Sequence, residues 1–231
     1  MIRKINLAYC NAGKDDGIPT SILREVGLQN ALKTVGHPNI QQIKGCQILA
    51  SESDQHAYSE NMVIEYEYEY QNLREYTTQN RLTKSQLQKV MVQILQGIKQ
   101  LHSIGIIHRN LKPDNILVSE NGEVKISDFT QSRMSTIPVG PYTPEDPKER
   151  DRSGREIKRL WYRAPEFLYR TPIYTFETDM WSVGCLFAEM ILGEPLFQGR
   201  SEIENLFNIF RFTGSPSQEL LDRISNKEHK I

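Results

Sequence analysis

"IIHRNLKPDNILVSENGEVKISDFT", residues 106–130, decides how this chain is read. Inside it, "NILVSENGEVKIS" sets two short apolar runs on either side of Asn121-Gly122. That dipeptide accepts the positive φ angles of a tight turn, so a β-hairpin is expected. Polar side chains gather around the hairpin: His108, Arg109, Asn110, Lys112 and Asn115 before it, Asp128 after it.

Moving a phosphoryl group from ATP asks a protein for positioning and charge neutralisation more than for covalent chemistry. The needs are metal ligands, a cation and an acceptor for the proton of the substrate hydroxyl. The protein-kinase signature meets them with H-R-D-L-x-x-x-N, then D-F-G, then A-P-E. This chain has His108-Arg109-Asn110-Leu111-Lys112-Pro113-Asp114-Asn115, then Asp128-Phe129-Thr130, then Ala164-Pro165-Glu166. Each triplet alone is a weak signal, but their order and spacing, with a hairpin between the first two, make coincidence improbable.

Other stretches narrow the resemblance. "PTSILRE" at 19–25 resembles the PSTAIRE helix of cyclin-dependent kinases, "RLWYRAPE" resembles their substrate-binding segment, and "DMWSVGCLFAEMILGEPLFQGRSEIENLFNIFRFTGSP" resembles their large-lobe helices. The likeness implies an α+β, two-lobed protein-kinase fold, with residues 1–66 in the small lobe and 67–231 in the large one. It also implies ATP and Mg²⁺ between the lobes, a cyclin-like protein on the 19–36 helix, and Ser/Thr-Pro protein substrates.

Carried over by position, the resemblance makes Asn115 and Asp128 the metal ligands, an amide oxygen and a carboxylate suited to a hard cation. Lys112 would hold the transferred phosphate, and Glu25 would pair with the cation that grips the other phosphates. Arg3 falls at that cation's position and Lys4 one place later; on a strand, neighbours face opposite sides. Glu65, Tyr66 and Glu67 would form the hinge that bonds the adenine, with Ile64 behind it. Thr143 matches the family's activating phosphothreonine, and Arg24, Arg109 and Arg133 are placed to receive its phosphate. The bland alternatives are a solvated Lys112, a hairpin-capping Asp128 and an exposed loop threonine at 143.

The departures matter as much. Asn110 stands where the family has its catalytic aspartate, and an amide has no carboxylate to take a proton. A lost general base typically costs about 10² to 10⁴ in rate, although the amide can still orient a hydroxyl. Thr130 replaces the glycine whose missing β-carbon lets the activation segment swing. Arg159 stands where the family usually has a threonine bonded to the catalytic aspartate and Lys112. The family's glycine-rich loop would precede Met1 and its last helices would follow Ile231, so a fold incomplete at both ends is expected. Activity is therefore expected to be weak or absent. Two alternatives stay open: a non-catalytic pseudokinase scaffold for a cyclin-like partner, and a non-autonomous fragment of a larger kinase.

Composition is ordinary for a globular domain and argues against other classes. The 231 residues are 38 % hydrophobic and 25 % charged, with a net charge of −1, which lacks the basic excess of a nucleic-acid binder. Cys10, Cys46 and Cys185 form no C-x-x-C pair, so neither a disulfide framework nor a zinc site is expected. "WSVGCLFAEMIL", 181–192, contains Glu189 and is shorter than the ~20 residues of a membrane span. A cytoplasmic or nuclear protein is expected. Residues 144–159 carry five acidic and six basic side chains, read as a solvated loop because the signs nearly cancel.

Local patterns give the remaining elements. "MIRKINL", "NIQQIKGCQIL" and "NMVIEYEYEY" read as strands. A helix follows Thr20 and Ser21, with Ile22, Val26, Ala31, Leu32 and Val35 as its apolar face and Gly36 and Pro38 as its end. Leu87, Val90, Met91, Ile94, Leu95, Ile98 and Leu101 mark a second amphipathic helix, and a third is expected at 178–192.

Overall fold

A computed structural model describes residues 2–6, 20–50, 60–66, 71–79, 81–135, 160–169 and 175–219. In chain order the elements are β1 (Ile2–Asn6), α1 (Thr20–Val35), β2 (Ile43–Ala50), β3 (Glu60–Tyr66), β4 (Gln71–Asn72), α2 (Leu73–Gln79) and α3 (Lys84–Ser103). They continue with β5 (Ile106–Ile107), a 3₁₀ turn at Pro113–Asn115, β6 (Ile116–Val118), β7 (Val124–Ile126), β8 (Arg133–Met134), α4 (Pro165–Leu168), α5 (Glu177–Leu192) and α6 (Glu202–Thr213).

The first three strands form an antiparallel sheet in the order β1-β3-β2. Met62, Ile64 and Tyr66 share one face of β3 and are buried with Ile22 of α1 and Ile43, as alternate positions of a strand do, and Val63 on the opposite face is buried too. Helix α1 departs from expectation: Ala31 and Val35 are exposed, and the buried residues are Ile22, Glu25, Leu28, Gln29 and Leu32. That series keeps the spacing of three and four residues that defines one helix face, but the polar Glu25 and Gln29 within it hide the stripe from a reading by hydropathy. The helix ends where the Gly36 N–H bonds the Leu32 carbonyl at 3.0 Å, with Gly36 at φ 53°, a conformation open to glycine at little cost.

Helix α3 is closer to its pattern. A capping box joins Thr83 and Gln86 at its start, meeting two backbone donors that have no intrahelical partner. Val90, Ile94, Gly97, Ile98 and Leu101 are buried, whereas Leu95 is exposed because it falls one residue off the stripe. Gly97 has a packing reason: a β-carbon there would meet Ile126 Cδ1 at 2.7 Å and the Asn39 carbonyl oxygen at 2.9 Å. Only a glycine lets the helix lie this close to β7.

The expected hairpin is β6–β7, with Ile116 opposite Ile126 and Val118 opposite Val124. Its loop spans 119–123, closed by a bond from the Ser119 N–H to the Glu123 carbonyl at 2.9 Å. Of the Asn121-Gly122 pair only Gly122 takes a positive φ, 79°, so the connection is longer than a two-residue turn. Strand β4 extends this sheet, and β5 pairs antiparallel with β8, so the flanks of the opening stretch are tied together. Helix α5 starts one residue before its expected position and stops at Gly193, φ 84°. The main core joins Leu28, Leu32 and Ile40 to α3, the hairpin, Phe129 and the inner face of α5. No helix among the described residues is long and apolar enough to cross a membrane.

Candidate functional site

The loop between β5 and the 3₁₀ turn is held from below by one carboxylate. Asp179, in the first turn of α5 and 1 % exposed, accepts the backbone N–H of His108 and of Arg109, each at 2.8 Å. Its Oδ2 also meets His102 Nε2 at 2.9 Å. This grip fixes Arg109 at φ 67°, a left-handed conformation that non-glycine residues rarely adopt. Sequence reasoning assigned Asp179 no role, because an acidic residue in the first turn of a helix is ordinary dipole complementation.

His108 joins this loop to the far end of the hairpin. Its Nε2 lies 3.0 Å from the Ser127 carbonyl and its Nδ1 3.3 Å from the Asn110 backbone N–H. A carbonyl only accepts and an N–H only donates, so the ring is the neutral tautomer with its proton on Nε2. Complete burial pushes its pKa down, against the nearby charges of Asp179 and Asp128.

Above the loop, Asn110, Asn115 and Asp128 come together. The amide nitrogens of Asn110 and Asn115 donate to Asp128 Oδ2 at 2.9 and 3.1 Å. Asn115 also donates to the Asn110 carbonyl at 2.7 Å. The other carboxylate oxygen, Oδ1, accepts the Thr130 hydroxyl at 2.6 Å and the Thr130 N–H at 3.4 Å. Asp128 itself takes φ 62°, so the left-handed residue of the Asp-Phe-Thr triplet is the aspartate. Thr130, read from the sequence as a lost glycine freedom, is a hydrogen-bond donor to the central carboxylate.

The structure describes only some of the other expected site residues. Lys112 caps the 3₁₀ turn in an extended conformation and lines a small pocket with Asn110, Tyr162 and Arg163. Glu25 is 1 % exposed and its Oε1 accepts the Tyr66 hydroxyl at 2.8 Å. The hinge candidates thus diverge: Ile64 is fully buried, Tyr66 turns inward to Glu25, and Glu65 is exposed. Of Arg3 the backbone register is described, opposite Ile64, with Lys4 opposite Val63. Glu67, Thr143 and Arg159 lie outside the described residues.

The arginines expected around a phosphate share one stretch of backbone. Arg24 Nη1 bonds the Thr130 carbonyl at 3.4 Å, Arg109 Nη1 the Gln131 carbonyl at 3.3 Å, and Arg133 Nη1 the Gln131 and Ser132 carbonyls at 3.2 and 3.0 Å.

A second network was missed entirely in the sequence. Arg74 of α2 donates to both oxygens of Asp114 at 3.2 and 3.1 Å, to Glu189 at 3.1 Å and to the Tyr162 hydroxyl at 3.1 Å. Tyr162 in turn donates to Glu189. Burial alone would raise the Asp114 pKa, but the hydrogen bonds and charge of Arg74 outweigh it and hold the carboxyl low. Burial raises the Glu189 pKa in spite of its bonds to Tyr162 and Arg74.

Comparison with known proteins agrees with this architecture. Residues 4–231 match the model of the protein kinase domain. The chain belongs to the protein kinase family. Within that family it is similar to cyclin-dependent kinase G-2 of Oryza sativa subsp. indica and of subsp. japonica, 38 % identical over 206 residues in each case. These residues cover 89 % of this chain and 26 % of the relative, so the chain spans about a quarter of the length of the curated relatives it matches. It is also similar to the crystal structure of the yeast RNA Pol II CTD kinase CTDK-1 complex, with a TM-score of 0.71 and 31 % identity over 94 % of this chain and 62 % of that one.

A protein kinase domain implies the use of ATP and Mg²⁺ in general. A carboxylate with an amide oxygen is a donor set suited to Mg²⁺, but a carboxylate offers about four lone-pair positions, and Asn110, Asn115 and Thr130 direct donors at all of them in Asp128. As arranged, these residues do not fit a resident divalent cation. Among the described residues no group of three or more His, Cys, Asp or Glu side chains is placed to hold a metal ion.

Proposed function

We propose that this chain is a cyclin-dependent-type Ser/Thr protein kinase domain whose phosphoryl transfer is impaired. In this reading residues 1–66 belong to the small lobe and 67–231 to the large one, ATP lies between them against the hinge 65–67 with Ile64 behind the base, and a cyclin-like protein docks on α1. Lys112 faces the transferred phosphate, and Glu25 orders the cation contributed by β1. Thr143, with Arg24, Arg109 and Arg133, forms the regulatory phosphate site; the convergence of the three arginines on carbonyls 130–132 supports it.

The observation that carries the impairment is the 2.9 Å bond from the Asn110 amide to Asp128. At the position of the proton acceptor stands a neutral group that spends its N–H on Asp128 and leaves only an amide oxygen. Such an oxygen orients a hydroxyl but does not hold its proton at neutral pH. The same bond favours the scaffold reading, in which the domain presents surfaces to a partner and turns nothing over.

The test is ATP-dependent phosphorylation of a Ser-Pro peptide by this chain, with and without a cyclin. Negligible transfer is expected, at least about 10²-fold below an ordinary kinase rate of roughly 1–100 per second. Transfer at such a rate, abolished by Asp128→Ala, would overturn the proposal.

A further inference from the structure

Two departures from the kinase pattern, at positions 110 and 130, converge on a single side chain. In the pattern, residue 110 is a second carboxylate and residue 130 has no side chain. A carboxylate at 110 in the rotamer the amide now holds would set two acceptors about 2.9 Å apart, where the amide sets a donor against an acceptor. Two like charges at that distance hold together only with a proton or a cation between them. Asn110 removes one of the charges and supplies a donor in its place. Thr130 adds a hydroxyl 2.6 Å from the opposite oxygen, where glycine has nothing to offer. With Asn115 bonded both to Asp128 and to the Asn110 carbonyl, the carboxylate is oriented and its lone pairs are engaged from within the chain.

We infer that Asn110 and Thr130 act as one internal replacement for the divalent cation at Asp128, so that the cleft responds to a nucleoside triphosphate in the same way with and without Mg²⁺. The two substitutions are coupled. Asn110 alone would leave Oδ1 short of its strongest donor, and Thr130 alone would leave two carboxylates in contact. The inference goes beyond impaired turnover: an enzyme can lack its proton acceptor and still bind Mg²⁺ tightly. It rests on the kinase-type reading of the cleft, but its readout needs no turnover, so a phosphotransfer result for or against impairment does not decide it.

The experiment is thermal melting of the full chain with ATP, once in EDTA and once in millimolar Mg²⁺. The same pair of measurements is made on Asp128→Ala and on the double variant Asn110→Asp, Thr130→Gly. In the unaltered chain the ATP response is expected to be equal in EDTA and Mg²⁺. In the double variant Mg²⁺ is expected to add roughly 5–10 °C, the shift for a ligand at about 100 times its dissociation constant in a chain of this size. A Mg²⁺-dependent shift in the unaltered chain that Asp128→Ala removes would overturn the inference, and so would a folded double variant that gains no Mg²⁺ dependence. Should the double variant not fold, the comparison of the unaltered chain with Asp128→Ala still decides.

Discussion

Two aspartates organise the opening stretch from opposite sides, and they do it differently. Asp179, buried below the loop, accepts main-chain N–H groups of His108 and Arg109. Asp128, half-buried above it, accepts the side chains of Asn110, Asn115 and Thr130 together with one N–H. Main-chain donors are present whatever residue follows, so the lower grip survives substitution of the loop. Side-chain donors depend on sequence, so the upper site can be rewritten by two changes while the loop keeps its shape.

The sharpest way to break this contrast is to remove each carboxylate in turn. Asp179→Ala strands two buried N–H groups and is expected to cost roughly 3–5 kcal/mol. In Asp128→Ala the donors left behind reach water or each other, and a loss of about 0–1.5 kcal/mol is expected. Chemical denaturation of both variants checks the order; equal losses would show that the upper site is as structural as the lower.

His108 links the two regions, and pH probes it. Its folded pKa lies below the ordinary value of 6.5, so as pH falls through about 6.5 the unfolded chain takes up a proton that the folded chain refuses. The stability associated with neutral His108 is whole above that pH and is lost progressively below it. Glu166 and Glu189, whose pKa values burial raises, act in the opposite sense, losing stability as pH rises from about 4.5. The measurement is therefore a difference: on going from pH 7.5 to 5.5 the melting temperature should fall further, or rise less, in the unaltered chain than in His108→Gln.

The smallest effect is expected from a buried polar group that lacks what both aspartates have. Gln29 is 1 % exposed, and among the described residues neither its amide oxygen nor its nitrogen has a hydrogen-bond partner. Gln29→Leu is expected to raise stability by about 1 kcal/mol, seen as a melting temperature roughly 2–4 °C higher.

How far these features could be read from the sequence depends on what made them. The hairpin, the stripe of α3 and the Asn110, Asn115 and Asp128 constellation follow from short-range pattern and motif spacing, and the family match agrees with the kinase fold they imply. The buried face of α1 was misread because Glu25 and Gln29 sit where hydropathy looks for apolar residues. Asp179 and Arg74 escaped notice because their partners lie far away in sequence, 70 to 71 residues for the Asp179 main-chain bonds and 115 for Arg74 with Glu189. Thr130 was visible as a departure, but its hydroxyl gained meaning only once the chain placed it beside Asp128.

The Arg74 cluster has a mechanical consequence. One guanidinium bonds Asp114 beside the loop, Tyr162, and Glu189 on α5, so a tilt of α2 against α5 would break several hydrogen bonds at once. A fluorophore carried on exposed Thr78 of α2 would therefore sense loosening of that junction.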